Sequence, residues 1–240
     1  MKILAIDTTG QVASVAILDE NQLIGEYTVN YKMQHSQLMM PMLEELCKRT
    51  NTTMDEVEYI ACSSGPGSFT GLRIGAATAK GLALSLGKKI VPVPTLDALA
   101  YSIVGSNNII CPIMDARRNQ VYACFYMWTN GKLDPISEMM AESIDEIIDM
   151  AEGFDQEVIF LGDGVPVHKE RLLKNPDFTL APLHTRLQRA ASLGVYALEM
   201  IKEEKSVESH EFELIYLRKS QAEREREERL AKETEENKND

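Results

Sequence analysis

Short apolar runs separated by tight turns dominate the first 31 residues of the chain. The runs cover residues 2–6, 12–18 and 23–31, and the third alternates apolar with polar residues. Asp19-Glu20-Asn21 separates the second run from the third and contains residues that favour turns. Strand-like runs joined by tight turns are typical of a meander, so we expect three antiparallel strands here.

A helical pattern with a wide apolar stripe follows between residues 36 and 49. Ser36 stands where a capping side chain is expected. Because methionine adapts its shape to irregular surroundings, such a stripe more often belongs to a core than to an interface. Its width nevertheless allows one flank to pack on the sheet while the other contacts a partner. The stripe consists of Leu38, Met39, Met42, Leu43 and Leu46.

The pattern then predicts a strand, a tight turn and a second helix. Residues 57–62 are mostly apolar, and residues 72–86 have helical periodicity. Gly65-Pro66-Gly67 permits a turn that larger residues cannot make. Ser68 or Thr70 is then placed to cap the helix.

This second helix carries a ridge of small residues. Gly71, Gly75, Ala79 and Ala83 recur every fourth residue and so share one face. Glycine inside a helix costs about 1 kcal/mol relative to alanine, so we expect a close neighbour. A glycine-rich loop before a helix also suggests phosphate binding. The P-loop pattern fails, however, because Leu72 and not lysine follows Gly71, and close packing is the better interpretation.

The remaining apolar runs predict two lobes. A strand over 89–93 and a helix over 96–104, capped by Thr95, complete a parallel crossover, so residues 1–104 form an N-terminal lobe. Residues 105–217 form a C-terminal lobe whose last helix could pack back on the first, and 218–240 form a charged tail. In the C-terminal lobe we expect strands over 108–114, 121–128 and 157–161, and helices over 144–151, 168–174 and 189–203.

Composition narrows the possible functions. The 240 residues carry a formal net charge of -12, which opposes a role as the main nucleic-acid surface. The four cysteines lack metal-ligand spacing and are interpreted as core residues in a reducing compartment. We expect neither a signal peptide nor a membrane span, and therefore a cytoplasmic protein.

Asp7-Thr8-Thr9-Gly10, between the first two strands, is the first candidate for chemistry. It could contact a phosphate or a metal-bound water, or it could be an ordinary Asx turn, which is the simpler interpretation. His35 has no second ligand nearby in the sequence and is better explained as a polar turn residue than as a metal ligand.

Several motifs together resemble one known family. They are residues 65–75 (GPGSFTGLRIG), residues 79–83 (AKGLA), Asp7-Thr8-Thr9, His35-Ser36 and Tyr216-Leu217-Arg218. With these motifs the chain is similar to the TsaB family, formerly YeaZ, over about residues 1–218. The charged tail is not part of the resemblance.

The resemblance implies an α/β fold of the two-lobed actin-like (ASKHA) type, with a mixed sheet and helices in each lobe. It implies a non-catalytic scaffold that pairs with its catalytic paralogue TsaD in threonylcarbamoyl transfer to N6 of adenosine 37 in tRNAs reading codons that start with A. TsaE would join a larger complex, the chain alone would form a homodimer, and tRNA would contact it only indirectly through TsaD. The partner interface would involve Leu38, Met39, Met42, Leu43, Leu46, Gly71, Leu72, Gly75 and Ala79.

The residues also test whether this copy is catalytic. As the resemblance implies, the catalytic paralogue carries a pattern like V-N-H-L-E-G-H. At the same place this chain has Val93-Pro94-Thr95-Leu96-Asp97-Ala98-Leu99. Thr95 and Leu99 therefore replace two metal-binding histidines, and leucine cannot ligate a metal. We therefore expect no cofactor and no enzymatic activity. The missing histidines also argue against the metallopeptidase label once attached to the wider family.

Nucleotide binding is the open question at this stage. The candidates are Asp7, Thr8 and Thr9 in the first lobe and Gly162 and Gly164 in the second. The turn at Asp115-Ala116-Arg117-Arg118, where a second phosphate loop would fall, lacks the glycine. We expect weak nucleotide binding or none. The alternative function is an actin-like ATP-binding enzyme, such as a small-molecule kinase, with Asp7 as its catalytic carboxylate.

Overall fold

The computed structural model describes residues 1–31 and 34–218. From residue 219 onwards, the predicted charged tail lies outside the described residues. The strands are β1 (Lys2–Asp7), β2 (Ala13–Asp19), β3 (Leu23–Val29), β4 (Val57–Gly65), β5 (Lys89–Pro94), β6 (Ile109–Asp115), β7 (Gln120–Ala123), β8 (Tyr126–Thr129), β9 (Lys132–Pro135), β10 (Met140–Ser143), β11 (Val158–Leu161) and β12 (Phe178–Leu180). The α-helices are α1 (His35–Thr50), α2 (Phe69–Leu86), α3 (Thr95–Ala100), α4 (Ile144–Glu152), α5 (Val165–Leu172) and α6 (Ala190–Lys202).

The first sheet has five strands in the order β3-β2-β1-β4-β5. β1, β2 and β3 pair antiparallel, which confirms the predicted meander. β4 pairs parallel with both β1 and β5, which confirms the predicted crossover through α2. β1 is thus the central strand, and its carboxyl end lies at the same edge as that of β4.

Helices cover both faces of this sheet. α1 and α2 pack on one face, where Leu43 and Ala79 join a core with β1 and β2. α6 packs on the other face, where Leu193 and Ala197 meet Ile3 and Ala5. The helix that ends the second half of the described chain therefore lies on the first sheet. The division of the chain at residue 104 stays a prediction.

The second sheet has seven strands, with β10-β7-β6-β11-β12 as its main path and the β8–β9 hairpin attached to β6. The single strand predicted over 121–128 is wrong, because β7 and β8 are separate. Phe125 lies between them, fully buried, and its N–H donates to Ser137 Oγ at 3.0 Å while its carbonyl accepts from Ile136. Both strands keep the same antiparallel register with β6, and the break between them lies where Phe125 hydrogen-bonds residues 136 and 137 instead of β6.

Two of the predicted caps differ from the structure, and a third is confirmed. Ser36 lies inside α1, whose N-cap is Gln34. Thr95 is the first residue of α3 and its hydroxyl caps nothing; this helix ends at Ala100 and not near residue 104. Ser68 does cap α2, since its side chain accepts from Gly71 N–H at 3.3 Å.

None of the helices within residues 1–31 and 34–218 is long and apolar enough to cross a membrane.

The small-residue ridge of α2 has a close neighbour, as expected, and the neighbour is the loop that follows β1. A Cβ on Gly71 would collide with the carbonyl oxygen of Thr8, and one on Gly75 would lie 2.6 Å from Thr8 Oγ1. The Thr8 hydroxyl also donates to the Gly71 carbonyl at 2.7 Å. The glycines therefore allow a helix to touch the backbone at the end of the central strand.

We predict opposite effects on stability for alanine at two glycines of α2. Gly71→Ala forces a methyl group against the Thr8 backbone and should lower the free energy of unfolding by about 1–3 kcal/mol. Within a single chain a Cβ at Gly81 meets nothing within 4 Å, so at protein concentrations where the chain is monomeric Gly81→Ala should raise the free energy of unfolding by up to about 1 kcal/mol. Urea denaturation measures both variants. Equal effects from the two substitutions would contradict this packing.

Candidate functional site

The loop after β1 is buried and held by its own side chains. Asp7, Thr8 and Thr9 are each at most 2 % exposed. One carboxylate oxygen of Asp7 accepts from Thr9 N–H at 2.9 Å and from Thr9 Oγ1 at 2.7 Å, and the other accepts from Ser63 Oγ at 2.8 Å. Burial raises the pKa of Asp7, although these hydrogen bonds lower it. This is an Asx-type turn whose acceptors are already used by the chain.

Gly10 continues this loop towards the second lobe. His35, at the start of α1, hydrogen-bonds the Gly10 carbonyl through Nε2 at 2.9 Å, while its Nδ1 is buried without a partner among the described residues. The sequence placed His35 in a turn; the structure places its ring against the candidate loop.

The predicted glycines of the second lobe, Gly162 and Gly164, follow the end of β11 and lie against the backbone of Ile113. Gly162 has a φ of 101°, and a Cβ there would collide with the Ile113 carbonyl. Its N–H donates to the Arg186 carbonyl at 2.6 Å, and Gly164 N–H donates to Ile113 at 3.1 Å. The backbone donors that a phosphate would need at these positions therefore already have partners, and nucleotide binding by these glycines stays a prediction.

Asp163, between these glycines, connects the two lobes. One carboxylate oxygen, Oδ1, accepts from Asp115 N–H at 3.1 Å, and the backbone N–H of Gln11 also acts on the carboxylate. Its other oxygen, Oδ2, would lie 2.8 Å from a Cβ on Gly10. Burial, and then repulsion from Asp115, raise the pKa of Asp163 to about 6.

Sequence reasoning missed Asp163 and Gln188 as parts of this site. Gln188 is 2 % exposed and lies against Gly10, and both polar atoms of its side chain lack a hydrogen-bond partner among the described residues. For Asp163 a signal existed, because a polar residue directly after a buried strand often lies at a functional sheet edge. For Gln188 no sequence pattern indicated the contact.

The turn at residues 115–118 differs from a phosphate loop. Arg117, Arg118 and Asn119 all have positive φ, between 54° and 66°. Both arginines are exposed, and Arg117 forms an ion pair with Asp115 at 3.4 Å. The turn presents side chains to solvent and directs the Asp115 N–H towards Asp163.

Residues 93–99, where the resemblance implies a metal motif in the paralogue, lie mostly in the interior of this chain. Thr95 is fully buried and Leu99 is 2 % exposed. Asp97 accepts from Tyr126 at 2.6 Å and from Tyr196 at 3.0 Å, and burial raises its pKa. No group of three or more His, Cys, Asp or Glu side chains suited to a metal occurs in the described part of the chain. Asp97 thus joins α3 to β8 and α6.

The C-terminal motif residues also join the lobes. Ile215 N–H donates to Ser64 at 2.7 Å, and Tyr216 stacks on Phe69 with ring centroids 4.6 Å apart. Arg218 donates to the Ala116 carbonyl at 2.8 Å. The segment thereby runs from the loop before α2 to the turn after β6.

The residues predicted for a partner interface lie mostly inside the chain. The same apolar faces cover the first sheet, as the core interpretation of the stripe expected, and a part for these residues in a partner interface stays a prediction. Leu38 is half-buried, and the other eight are buried: Met39, Met42, Leu43, Leu46, Gly71, Leu72, Gly75 and Ala79.

Comparison with known proteins identifies relatives of the whole chain. The model of the family described as TsaD, tRNA N6-adenosine threonylcarbamoyltransferase, matches residues 22–233. The tRNA threonylcarbamoyladenosine biosynthesis protein TsaB of Bacillus subtilis is 35% identical over 228 residues, covering 93% of this chain and 96% of the relative. Its namesake in Escherichia coli is 28% identical over 225 residues, covering 92% and 96%.

Solved structures agree with this result. YeaZ from Pseudomonas aeruginosa matches with a TM-score of 0.78 and 26% identity, over 90% of this chain and 99% of that one. Component A of (R)-2-hydroxyglutaryl-CoA dehydratase from Acidaminococcus fermentans matches with a TM-score of 0.53 at 11% identity, over 84% and 99%, and shares the fold alone. The predicted two-lobed actin-like (ASKHA) fold is confirmed.

We predict a pH-dependent effect of Asp163→Asn. The folded-state pKa of Asp163 is about 6 against an ordinary 3.8, so ionisation costs stability increasingly as the pH rises from about 4 through 6. The neutral amide avoids this cost. The gain in unfolding free energy over the wild type should therefore be larger at pH 7.5 than at pH 5, by about 1–2 kcal/mol.

Urea denaturation at both pH values measures this gain. Asp155→Asn, which removes an exposed carboxylate outside the site, is the control for the substitution itself. A gain for Asp163→Asn that is equal at the two pH values, or larger at pH 5, would mean that the buried carboxylate does not titrate as described.

Proposed function

Because this chain belongs to the TsaB family of tRNA threonylcarbamoyladenosine biosynthesis proteins, we propose that it is a non-catalytic subunit that pairs with the catalytic paralogue TsaD. In this proposal TsaD transfers threonylcarbamoyl to N6 of adenosine 37 in tRNAs reading codons that start with A. This chain supplies a scaffold for that subunit. The exposed stripe of Ala77, Gly81 and Leu84 on α2 is the single observation that carries the proposed pairing.

The proposed absence of a catalytic role is supported by the residues that stand where the resemblance implies a metal site. Thr95 and Leu99 are buried at the positions where the resemblance puts two histidines. Asp97, between them, is fully engaged by two tyrosine hydroxyls. A buried carboxylate held in this way positions helices and offers no ligand to a metal.

Pairing is supported by the residues that α1 and α2 expose. The two helices lie side by side on the same face of the first sheet. Met40 on α1 is 52% exposed and Leu84 on α2 is 77% exposed. Ala77 and Gly81 are exposed on the same stripe of α2 as Leu84, at a spacing of four and three residues. Small and apolar residues exposed together on one stripe of a helix favour close contact with a partner.

Gly81 gives the strongest physical argument for a close partner. Unlike Gly71, it has no neighbour that would meet a Cβ, so packing within the chain does not require glycine there. A helix loses about 1 kcal/mol by keeping glycine in place of alanine. A partner helix that approaches the backbone at this position would explain the choice.

The other proposed associations, with a second copy of this chain, TsaE and tRNA, build on the pairing through this surface. Since the two paralogues share a fold, two copies of this chain would pair through the same face when TsaD is absent. TsaE would join the assembled pair, which would be cytoplasmic. With a net charge of -12, the chain would meet tRNA indirectly, through TsaD.

The alternative, an actin-like ATP-binding enzyme such as a small-molecule kinase, has less support. It would need Asp7 as a catalytic carboxylate facing a substrate. Both oxygens of Asp7 instead accept hydrogen bonds from Thr9 and Ser63, and the residue is 1% exposed.

We predict that Leu84→Glu weakens the association with purified TsaD at least about tenfold, because a charge would be buried against an apolar partner. The variant should still fold as a single chain, with a far-UV circular dichroism spectrum like that of the wild type, since the side chain is 77% exposed within one chain. Light scattering measures the mass of the complex, and titration calorimetry measures its Kd. The chain without TsaD serves as the reference for a homodimer.

Leu183→Glu is the matched control, because Leu183 is 82% exposed and belongs to the loop between β12 and α6, not to either helix of the proposed interface. It should bind TsaD as the wild type does. Normal binding by Leu84→Glu would remove α2 from the proposed interface. No association of the wild-type chain with TsaD would reject the pairing itself.

A further inference from the structure

A cluster of two aromatic rings and an arginine lies at the amino-terminal end of α2. Phe69, the first residue of the helix, stacks on Tyr216, with ring centroids 4.6 Å apart and an angle of 15° between the rings. The guanidinium carbon of Arg73 lies 5.7 Å from the Phe69 ring centroid, and Arg73 Nε donates to the Tyr216 hydroxyl at 3.4 Å. We call these three side chains the aromatic cluster.

The aromatic cluster continues the exposed stripe of α2. Arg73 is exposed and precedes Ala77 and Gly81 at successive spacings of four residues. Leu84 follows three residues later on the same side of the helix. Because an α-helix rises about 1.5 Å per residue, the stripe from Arg73 to Leu84 is about 16 Å long. The surface proposed for contact with TsaD therefore reaches the aromatic cluster.

The cluster supplies large side chains that the stripe lacks. Ala77 and Gly81 have little or no side chain, so Leu84 contributes most of the apolar surface of the stripe. A few anchor residues, often tyrosine or arginine, carry most of the binding free energy at protein interfaces. Tyr216 is 41% exposed and its neighbour Ile215 is 38% exposed, so a partner that covers both would remove apolar surface from water.

The segment that carries Tyr216 is fixed by contacts on both sides of this residue. The Ile215 N–H donates to the Ser64 carbonyl at 2.7 Å, and Arg218 donates to the Ala116 carbonyl at 2.8 Å. Phe212 is 2% exposed and belongs to the core that α1 and α2 form with the first sheet. An exposed side chain that is already held in one position loses little conformational freedom on binding, which favours its use as an anchor.

We propose that the aromatic cluster belongs to the surface that contacts TsaD, with Tyr216 as its anchor. This contact depends on the proposed pairing and extends it from α2 to residues 212–218. The matching surface of TsaD is apolar, because it covers the exposed ring of Tyr216 and the side chain of Ile215. Since Arg218 ties the same segment to the turn after β6, TsaD would also contact the segment that joins the two lobes.

Titration calorimetry of the full chain with purified TsaD tests this contact. Tyr216→Ala should weaken binding at least about tenfold, because it removes the ring from the contact. Tyr216→Phe keeps the ring and should weaken binding less than about fivefold. Val195→Ala is the matched control, because Val195 is 39% exposed on α6, which packs on the opposite face of the first sheet. This control should bind TsaD as the wild type does.

Hydrogen exchange of the wild-type chain gives a second readout, which needs no variant. The backbone amides of residues 212–218 should exchange more slowly when TsaD is bound, because the partner covers this segment. Unchanged exchange of these amides in the complex would contradict the contact, even if Tyr216→Ala weakens binding. In that case the ring would act on binding through the fold of the chain.

The outcomes separate this contact from the pairing itself. If the wild-type chain does not bind TsaD, the proposed pairing is rejected. If Leu84→Glu loses binding while a folded Tyr216→Ala binds normally, the pairing stands and Tyr216 lies outside the interface. Equal losses for Tyr216→Ala and Tyr216→Phe would also exclude the ring as an anchor. If Tyr216→Ala does not fold, the hydrogen exchange of residues 212–218 decides.

Discussion

The contact between the loop after β1 and the first turn of α2 is the constraint on which the rest of the structure depends. β1 is the central strand of the first sheet, and its last residues pass directly under the helix. Only a residue without a Cβ fits at Gly71, because the Thr8 carbonyl occupies that space. The Ser68 N–H then donates to Thr9 at 2.7 Å, so the helix start and the loop fix each other. The position of Gly10 follows from this contact, and with it the meeting of the two lobes.

Three carboxylates, two of them buried and that of Asp97 half-buried, then connect the elements around that contact. Asp7 joins β1 to β4 through Ser63, Asp97 joins α3 to β8 and α6, and Asp163 joins β11 to β6 and to the loop after β1. Burial is the main cause that raises the pKa of each. Each is satisfied by hydroxyl or backbone donors. Their acceptors are used within the chain, which agrees with the proposed accessory role.

The sequence predicted the elements whose signal is local. The meander, the crossover through α2 and the Ser68 cap depend on neighbouring residues, and each was correct. The strand over 121–128 was wrong because its apolar run cannot show that Phe125 hydrogen-bonds residues 136 and 137 instead of β6. Asp163 and Gln188 were missed as site residues for a related reason. Their contacts with Gly10 and Gln11 join parts of the chain more than 150 residues apart, and no periodicity records such a pairing.

The glycines of α2 illustrate the same limit in one element. Periodicity showed that a ridge of small residues needs a close neighbour, but it did not say which neighbour. At Gly71 and Gly75 the neighbour is the chain's own loop, so the predicted interface residues on this ridge are internal. At Gly81, on a different face, no atom of the chain fills the space. α2 has small residues on its inner face because the loop after β1 packs there. No contact within the chain requires glycine on the outer face, at Gly81. Two neighbours explain both faces best, and the isolated chain supplies one of them.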